Sequence, residues 1–253
     1  ILNPARLPIP PLRLKERSFE RCDISAANAT KNPTKTHNLL KWRKTTSYLL
    51  ITMPNDIKTN IYTHPAHLPD NVSATVVAIG NFDGVHKGHQ AILKRAKEKA
   101  EQLDAPLVAL TFDPHPREVF TPENAPLRLT SLQEKAGLLA RYGADIVYVI
   151  PFSHTYAQTT AASFIGDTLV KALKANHVVI GEDFAFGRNR QGDVDVLKAA
   201  GQACGFAVEA LSLRQQEGEV YSSTAVRSAI KTGDLQKAQQ LLGHEIRLLK
   251  EQK

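Results

Sequence analysis

The sequence predicts an α/β fold in which a five-stranded parallel sheet has helices on both faces. Short apolar segments typical of buried strands alternate along the chain with longer segments whose apolar residues recur at helical spacing. Each predicted strand is followed by a loop rich in glycine, proline or polar residues. Because ligands bind outside the carboxyl ends of parallel strands, we expect the functional residues to lie in these loops.

Five strands and four main helices are predicted after residue 53. The strands are predicted at 75–79, 107–112, 146–150, 178–180 and 206–211, and the helices at 90–102, 132–142, 162–174 and 194–203. Ser131 and Glu134 form a Ser-x-x-Glu capping box, which indicates that the second helix begins there. A further short helix is expected after Ser222.

Residues 1–52 differ in composition from the rest of the chain. They contain 10 lysines and arginines but only 3 acidic residues, which accounts for the whole net charge of +7. They also contain five prolines and show little helical or strand periodicity, so we expect no folded domain here. Met53 is the only methionine, and we expect translation to start there; an organelle leader is the alternative. The folded domain is then expected to span residues 53–253.

Charge, hydropathy and cysteine content bear on partners and location. From residue 53 onward acidic and basic residues number 22 each, so the domain has no basic excess and we expect no nucleic-acid partner. No apolar run reaches about 18 residues, and we expect no membrane association. Cys22 and Cys204 are far apart in sequence, which argues against a disulfide framework and favours a reducing, cytoplasmic location. The sequence does not indicate an oligomeric state.

The segment with the clearest chemical pattern follows the first predicted strand. Residues 80–89 read Gly-Asn-Phe-Asp-Gly-Val-His-Lys-Gly-His and lead into the first predicted helix. Free backbone N–H groups and the positive end of the dipole make a helix start suitable for phosphate, and the glycines let a ligand approach the main chain. His86 and His89 would share one helix face, become protonated beside a triphosphate and donate hydrogen bonds to it.

The same His-x-x-His pair has other interpretations: a surface feature, a helix cap or a zinc site. Zinc would need further ligands, and the sequence has neither a paired cysteine spacing nor a His-Glu-x-x-His motif. We therefore expect phosphate binding and no metal site built by the protein.

A second anion site is indicated at residues 222–227, which read Ser-Ser-Thr-Ala-Val-Arg. Hydroxyl groups and free N–H groups meet at this predicted helix start, with Arg227 about one turn in. Its planar guanidinium suits phosphate oxygens, so Arg227 can hold the β and γ phosphates while the histidines contact the α phosphate. A plain Ser/Thr cap with an exposed arginine is the alternative.

Two further loops carry unusual residues. Residues 113–116 read Asp-Pro-His-Pro, and the prolines predict a stiff spur with two polar side chains, or a structural turn. In the Gly-Glu-Asp-Phe-Ala-Phe-Gly segment at 181–187, Phe184 and Phe186 point the same way and either stack on a flat ring or fill the core.

The loop then continues through two positively charged residues and a flexible one: Arg188, Arg190 and Gly192. This pattern predicts a mobile flap over an anionic ligand, with solvated loop charges as the alternative. A Walker motif and a Gly-x-Ser-x-Gly elbow are both missing from the sequence, which disfavours P-loop phosphotransferases and serine hydrolases.

These motifs together resemble the nucleotidylyltransferase superfamily, whose His-x-Gly-His loop corresponds to residues 86–89 and whose Ser-Ser-Thr-x-x-Arg segment corresponds to residues 222–227. Within it, residues 80–86, 110–116 and 181–187 resemble the FAD synthetase, or FMN adenylyltransferase, module of prokaryotes. The resemblance covers the chain from about residue 57 to residue 243 and implies the Rossmann-like fold of that superfamily.

The resemblance also implies an activity and a set of residues. The FMN phosphate would attack the α-phosphorus of ATP, giving FAD and pyrophosphate, with Mg²⁺ bound mainly through the ATP phosphates. The residues that match the catalytic positions are His86, His89, Ser223, Thr224 and Arg227. Those expected to bind ATP are Gly80, Phe82, Gly84, Gly88 and Ser222. Those expected on the flavin side are Asn81, Asp83, Asp113, Pro114, His115, Asp183, Phe184 and Arg188.

In that family the module usually precedes a riboflavin kinase barrel with a Pro-Thr-Ala-Asn motif, which this sequence lacks, so we expect no riboflavin kinase activity. Two other functions stay open. One is a related nucleotidyltransferase that uses CTP or a different phosphorylated acceptor. The other is a flavin- or nucleotide-binding remnant without catalysis.

Overall fold

A computed structural model describes residues 48–52, 58–64, 66, 68–212 and 221–245. They form a seven-stranded sheet in the order β1-β2-β5-β4-β3-β6-β7, parallel except for the antiparallel pairing of β1 with β2. The strands are β1 (Tyr48–Thr52), β2 (Lys58–Thr63), β3 (Thr75–Ile79), β4 (Leu107–Asp113), β5 (Ile146–Pro151), β6 (Ala175–Gly181) and β7 (Ala207–Leu211).

Seven helices connect or follow these strands in the described part of the chain. They are α1 (Lys87–Leu103), α2 (Pro116–Phe120), α3 (Leu132–Arg141), α4 (Ala161–Ser163), α5 (Val194–Cys204), α6 (Ser223–Lys231) and α7 (Leu235–Leu242). Helix α4 continues directly into π-helical turns at Phe164–Ala172. The capping box predicted at the start of α3 is present, with Ser131 and Glu134 bonding each other's backbone.

The predicted α/β fold is confirmed, and β3 to β7 correspond to the five predicted strands. Their spatial order, β5-β4-β3-β6-β7, places the reversal of the winding direction at β3, as in a Rossmann-like sheet. The sheet also has β1 and β2, which the sequence analysis did not identify. Residues 48–52, assigned above to a segment without a folded domain, form an edge strand. Residues 1–47 and Met53 lie outside the described residues.

Two apolar cores cover the faces of the sheet because successive strand residues point to opposite sides. In β3, Val77 and Ile79 face one core, while Val76 and Ala78 face the other. The π-helical segment and α5 cover the first face, and α1 and α3 cover the second. A third cluster joins α6 to α7 and includes Leu129 from the loop before α3.

Cys204 is disulfide-bonded in this structure, and its partner lies outside the described residues. The cysteine spacing was therefore a wrong guide to the absence of a disulfide, while the expected location stays a prediction. Separation along the sequence does not limit a disulfide, since only the spatial distance between the two residues matters. Within the described ranges, no helix has the length and apolarity needed to cross a membrane.

Candidate active site

The loop from β3 to α1 has an unusual backbone that fixes its side chains. Phe82, Gly84 and Val85 all have positive φ angles, of 49°, 77° and 38°. Such an angle is rare for a β-branched residue, so Val85 is held in a strained conformation by its surroundings. The Phe82 ring is fully buried beneath Gly80, where an added Cβ would lie 3.2 Å from it. Phe82 therefore supports the loop from below, and its contact with ATP stays a prediction.

The two histidines form a stacked pair at the start of α1. Their ring centroids lie 3.7 Å apart with an interplanar angle of 19°. His86 is the N-cap, and its Nδ1 accepts a hydrogen bond of 3.4 Å from the His89 backbone N–H. A neutral His86 ring must therefore carry its proton on Nε2. The predicted common face of the pair is confirmed.

Both rings are poised as neutral donors before any ligand binds. Burial, with a contribution from the Arg227 charge, lowers the pKa of His86 to about 4. Burial also lowers the pKa of His89 well below its ordinary value, and the charges of His86 and Lys135 act in the same direction. The protonation expected beside a triphosphate thus depends on the negative charge of the ligand, which acts against these effects.

Asp83 lies at the centre of the contacts that hold this loop. Its buried carboxylate accepts hydrogen bonds from the backbone N–H groups of Leu129 and Thr130, at 3.1 and 3.2 Å. It also forms an ion pair with the guanidinium of Arg227. These partners satisfy the buried carboxylate, which must be paired to be stable, so Asp83 holds the loop together, and its flavin contact stays a prediction.

Arg227 is not the exposed arginine of the alternative in which Ser222–Thr224 form a plain helix cap. Its side chain is only 16% exposed, and besides Asp83 it donates from Nε to the Leu127 carbonyl at 2.7 Å. The residue ties α6 to the loop before α3. It can contact a phosphate only if the ligand competes with these partners.

The start of α6 packs against the histidine loop, as the two anion motifs together predicted. Ser223 Oγ donates to the Asp83 carbonyl at 3.0 Å, and Ser222 is the N-cap, accepting from the Ala225 N–H at 3.1 Å. A Cβ on Gly88 would lie 3.2 Å from the Tyr221 carbonyl oxygen. Helix α6 and helix α1 therefore start side by side, and the exposed Thr224 lies in the first turn of α6.

Helix α7 also fixes the loop, which the sequence analysis did not foresee. Gln90 donates from its amide to the carbonyls of Val85 and Leu242, at 2.8 and 2.6 Å. His244 Nε2 lies 2.9 Å from the Gly84 carbonyl. Gly84 itself is buried, and a Cβ there would lie 2.8 Å from the Leu129 side chain. Its positive φ and tight packing give Gly84 a structural role, and its contact with ATP stays a prediction.

The Asp-Pro-His-Pro spur follows β4, the neighbour of β3. Asp113 pairs with Arg128 at 3.3 Å, and Arg128 pairs with Glu118 at 2.6 Å. The peptide bond between Asp113 and Pro114 is cis. His115 caps α2 by accepting from the Arg117 N–H at 3.1 Å. Burial lowers the pKa of His115, and the charges of Asp83 and Arg227 act on that pKa in opposite directions.

A buried lysine that the sequence analysis missed lies beside these groups. Lys135 Nζ donates to the Phe112 carbonyl at 3.1 Å and to Thr111 Oγ at 3.4 Å. Thr111 in turn donates to the Asn81 carbonyl at 3.0 Å, which links α3 through β4 to the histidine loop. The sequence signal was present, because Lys135 lies with Ala136 and Leu139 on the inward face of α3.

An aromatic cluster at the carboxyl ends of β4 and β5 also escaped the sequence analysis. Phe152 makes edge-on contacts with Phe112, Phe120 and Tyr156, with centroids 5.6 to 5.9 Å apart. Phe120 is 56% exposed, an unusual state for so large an apolar side chain. No spacing in the sequence joins these residues, since they come from β4, from α2 and from the segment after β5.

The loop after β6 is tied down, which differs from the predicted mobile flap. Phe186 and Gly192 bridge the two sides of the loop, and the Arg188 N–H donates to the Thr159 carbonyl at 2.7 Å. Phe184 stacks on Phe186 with centroids 5.4 Å apart and packs against the core. This arrangement agrees with the core-filling alternative for the phenylalanines. Arg188 and Asp183 remain exposed.

The described residues contain no group of three or more histidine, cysteine, aspartate or glutamate side chains placed to hold a metal ion. The two carboxylates closest to the histidine loop, Asp83 and Asp113, are each paired with an arginine. A divalent cation here would therefore have to take most of its ligands from a substrate.

Comparison with known proteins identifies the family. The sequence profile described as FAD synthetase matches residues 68–225. Curated proteins named bifunctional riboflavin kinase/FMN adenylyltransferase are 42% identical over 169 residues in Escherichia coli K12 and 44% identical over 173 residues in Pseudomonas fluorescens. The alignments cover 67% and 68% of this chain but 54% and 55% of the relatives, so the chain spans about half their length.

A solved structure shares the fold. It is described as the crystal structure of a macrolide-efflux protein from Streptococcus pneumoniae, with a TM-score of 0.65 and 30% sequence identity, and the match covers 74% of this chain and 60% of that one. The family profile spans more than half of the chain, across both the histidine loop and the start of α6. The protein therefore belongs to the FAD synthetase family.

Proposed function

We propose that this chain transfers AMP from ATP to FMN, forming FAD and pyrophosphate. An oxygen of the FMN phosphate attacks the α-phosphorus of ATP, and the bond from that phosphorus to the β-phosphate oxygen breaks. The protein needs no nucleophile of its own for such a transfer, which depends on alignment and on charge stabilisation. Family membership and the names of the curated relatives support this activity.

The observation that carries the proposal is the convergence of two helix starts on one stacked histidine pair. The Nε2–H of His86 is fixed by its capping bond, and the free N–H groups of α1 and α6 lie beside it. Neutral imidazole donors and helix N-termini stabilise charge that develops on a phosphorus centre without the burial of two like charges. We assign His86 and His89 to the phosphates of ATP.

The pyrophosphate side is assigned to the start of α6. Ser222, Ser223 and Thr224 supply N–H groups and hydroxyls at this helix start. Gly88 lets the starts of α1 and α6 approach each other, and Gly80 packs on the Phe82 ring. Arg227 supports the site mainly by holding Asp83, and it reaches the leaving group if the charge of pyrophosphate displaces that carboxylate.

The flavin side is assigned to the aromatic cluster, whose exposed member Phe120 offers an apolar face to a flat ring. Among the residues expected there from the sequence, the Asn81 side chain is exposed, and Pro114 and His115 are half-buried beside the cluster. Asp113, Asp183, Phe184 and Arg188 are weaker candidates. The carboxylate of Asp113 is paired, Phe184 packs on the core, and Asp183 and Arg188 belong to the loop after β6.

Mg²⁺ enters this proposal bound to ATP, because the described residues build no metal centre of their own. When bound, the ion neutralises negative charge on the phosphates. The protein's contribution is to hold the triphosphate against the histidine pair and to exclude water from the reacting phosphorus.

Product analysis tests the proposed function. Purified protein with ATP and Mg²⁺ should form FAD and pyrophosphate from FMN, and the 253-residue polypeptide should form neither FMN nor FAD from riboflavin. His89→Ala should slow FAD formation by roughly 10² to 10³, since loss of one preorganised donor costs about that much. Lys94→Ala, at an exposed position of the same helix, is the control and should retain full activity. An unchanged rate in His89→Ala contradicts the assignment.

The same assay separates the alternatives. A related transferase with another nucleotide or acceptor would give product with CTP, or with a phosphorylated acceptor other than FMN, at a higher rate. A remnant without catalysis would bind FMN or ATP and release no pyrophosphate. The conformation of the aromatic cluster favours a flavin over a small polar acceptor.

We also propose a cytoplasmic location. ATP and FMN are multiply charged and do not cross membranes unaided, so the reaction belongs in the compartment that holds both. The disulfide at Cys204 is unusual for such a compartment. Fractionation of native cells with an antibody, followed by thiol labelling of Cys204, would test this location.

A further inference from the structure

The histidine loop contains a strained turn whose carbonyl groups are bonded by side chains from outside the turn. Gly84 and Val85 are buried, have φ angles of 77° and 38°, and directly precede His86. A β-branched residue keeps such an angle only where its surroundings impose it. The groups that bond these two residues therefore help to decide how the His86 ring is oriented.

Gln90 is the first of these groups. It lies in the first turns of α1, and its amide nitrogen donates to the Val85 carbonyl at 2.8 Å and to the Leu242 carbonyl, at the end of α7, at 2.6 Å. Both N–H groups of the amide are thus used, and the opposite orientation would place the amide oxygen against two carbonyl oxygens. Gln90 therefore ties the Val85 peptide to the last residue of α7.

His244 is the second group and bonds the neighbouring peptide. Its Nε2 lies 2.9 Å from the Gly84 carbonyl oxygen. A carbonyl oxygen can only accept, so this nitrogen must carry a proton and donate it. The chain reaches this place because Gly243 ends α7 with a φ of 70°, at a position where a Cβ would lie 3.2 Å from Lys87 Cγ. Two successive carbonyls of the turn are thus held, one from α1 and one from the segment after α7.

These bonds are not needed to attach α7 to the domain. Helix α7 already packs with α6 in an apolar cluster that includes Leu129. Apolar burial has no preferred direction, whereas a hydrogen bond requires a defined angle between donor and acceptor. The bonds from Gln90 and His244 therefore add what the apolar cluster does not supply, which is a fixed orientation of the peptides before His86.

We propose that Gln90 and His244 are positioning residues of the transfer site, which hold the carbonyls of Val85 and Gly84 and so fix the histidine pair against the ATP phosphates. The inference rests on the proposed function for the reaction whose rate they set. Because the His86 and His89 rings are stacked with centroids 3.7 Å apart, a change in the peptide before His86 displaces both donors. Misplacement of such groups by about 1 Å can slow a reaction by about 10².

The first test is kinetic and uses Gln90→Met, which keeps the length of the side chain and removes its N–H groups. We expect kcat for FAD formation to fall by about tenfold or more and KM for ATP to change by less than about threefold, because positioning acts on the transition state. Gln102→Met is the matched control: the same change near the other end of α1, where the exposed Gln102 accepts a bond from Lys99 at 3.2 Å. It should keep the wild-type kcat. A wild-type kcat in Gln90→Met overturns the inference.

A pair of variants at His244 separates the hydrogen bond from the bulk of the ring. His244→Leu removes the donor and should lower kcat by about tenfold or more. His244→Gln supplies an amide N–H near the place of Nε2 and should restore most of kcat. An equal loss in both variants would show that the ring fills space and that its N–H is not needed, which overturns the inference for His244.

The second test needs no substrate. In ligand-free, histidine-labelled protein, nitrogen-15 NMR should show a proton on Nε2 of His244. The ring signals of His86 and His89 should shift in His244→Leu and return to their wild-type positions in His244→Gln. A wild-type His244 without a proton on Nε2 overturns the inference even if His244→Leu does not fold.

Two further outcomes keep the proposals apart. If His244→Leu loses thermal stability while the ring signals of His86 and His89 are unchanged, the residue is only structural and the inference is overturned. If the wild-type protein forms no FAD at all, the proposed function fails, while the ring signals still decide whether His244 positions the histidine pair.

Discussion

At the scale of single residues, the acidic side chains of the site are already paired with arginines. Asp83 holds Arg227, and Asp113 and Glu118 hold Arg128. The histidine pair is left neutral, because burial disfavours charging either ring. A polyphosphate thus enters a site that offers hydrogen-bond donors without a large net charge. The residues that hold the donors in place matter as much as the donors.

Stability of the ligand-free protein should depend on pH through His86. Because folding lowers its pKa from 6.5 to about 4, the unfolded chain binds this proton first as the pH falls. The free energy of unfolding should therefore decrease from about pH 6.5 down to about pH 4, and this contribution should be constant above that window. His86→Asn keeps a good N-cap but cannot titrate, so urea unfolding should show a shallower pH slope. Equal slopes in both proteins would mean that His86 is not the responsible group.

The Arg227 to Asp83 pair should contribute to folding as well as to catalysis. Arg227→Met leaves a buried carboxylate without its cation and should lower the free energy of unfolding by about 3 to 5 kcal/mol. The double variant with Asp83→Asn removes both charges and should recover part of that loss. Urea unfolding of the two single variants and the double variant measures the coupling. Additive losses, with no recovery, would contradict a direct pair.

At the scale of secondary-structure elements, the essential contact is between the start of α1 and the start of α6. Gly88 permits it, since a Cβ there would lie 3.1 Å from the His86 ring and 3.2 Å from the Tyr221 carbonyl. Ser223 completes the contact by donating to the Asp83 carbonyl. The two helix starts are close enough to share one anion only because position 88 has no side chain.

Gly88→Ala tests this contact between elements. Alanine favours the helix by up to about 1 kcal/mol, so the free energy of unfolding should change little, whereas FAD formation should fall by about tenfold or more because the helix starts are forced apart. Steady-state kinetics combined with thermal unfolding separates the two effects. Lys94→Ala on the exposed face of α1 is the control. Full activity of Gly88→Ala would show that close approach is not required.

At the scale of the whole molecule, segments far apart in sequence form one site because both lie at the carboxyl edge of the sheet. The histidine loop follows β3, the strand at which the winding direction changes, and α6 follows the last strand. The cluster between α6 and α7 packs against Leu129, in the loop whose neighbouring N–H groups bind Asp83. Helices α6 and α7 therefore belong to the site and close one side of it.

Ligand binding should consequently stabilise the α6–α7 pair. With ATP and Mg²⁺ at 100 times Kd, binding contributes about 2.7 kcal/mol, so amide hydrogen exchange in α6 and α7 should slow by up to about 100-fold. Amides of α5, which covers the other face of the sheet, should slow less. Hydrogen exchange measured by mass spectrometry resolves these helices. Equal protection of α5 and α6 would indicate that the ligand acts on global unfolding alone.

The sequence predicted correctly those features that depend on a pattern of neighbouring residues. Apolar segments located β3 to β7, and the Ser-x-x-Glu pattern located the start of α3. Strand β2 was missed because it lacks a clear apolar run and is fixed by its pairing with β5. Strand β1 reads Tyr-Leu-Leu-Ile-Thr, but it lies at the end of a segment that was interpreted from its overall composition. The residue types of an anion site were also predictable, because helix N-termini and only a few kinds of side chain bind phosphate well.

By itself, the sequence determined the α/β class, the two anion motifs and the order in which they occur along the chain. Only the tertiary structure decided which charged groups are free to act. Asp83 and Arg227 neutralise each other, Lys135 is buried against β4, and aromatic residues from β4, α2 and the segment after β5 form one cluster. Burial and pairing depend on contacts between distant segments, and no local pattern encodes the desolvation that sets the charge of a buried group.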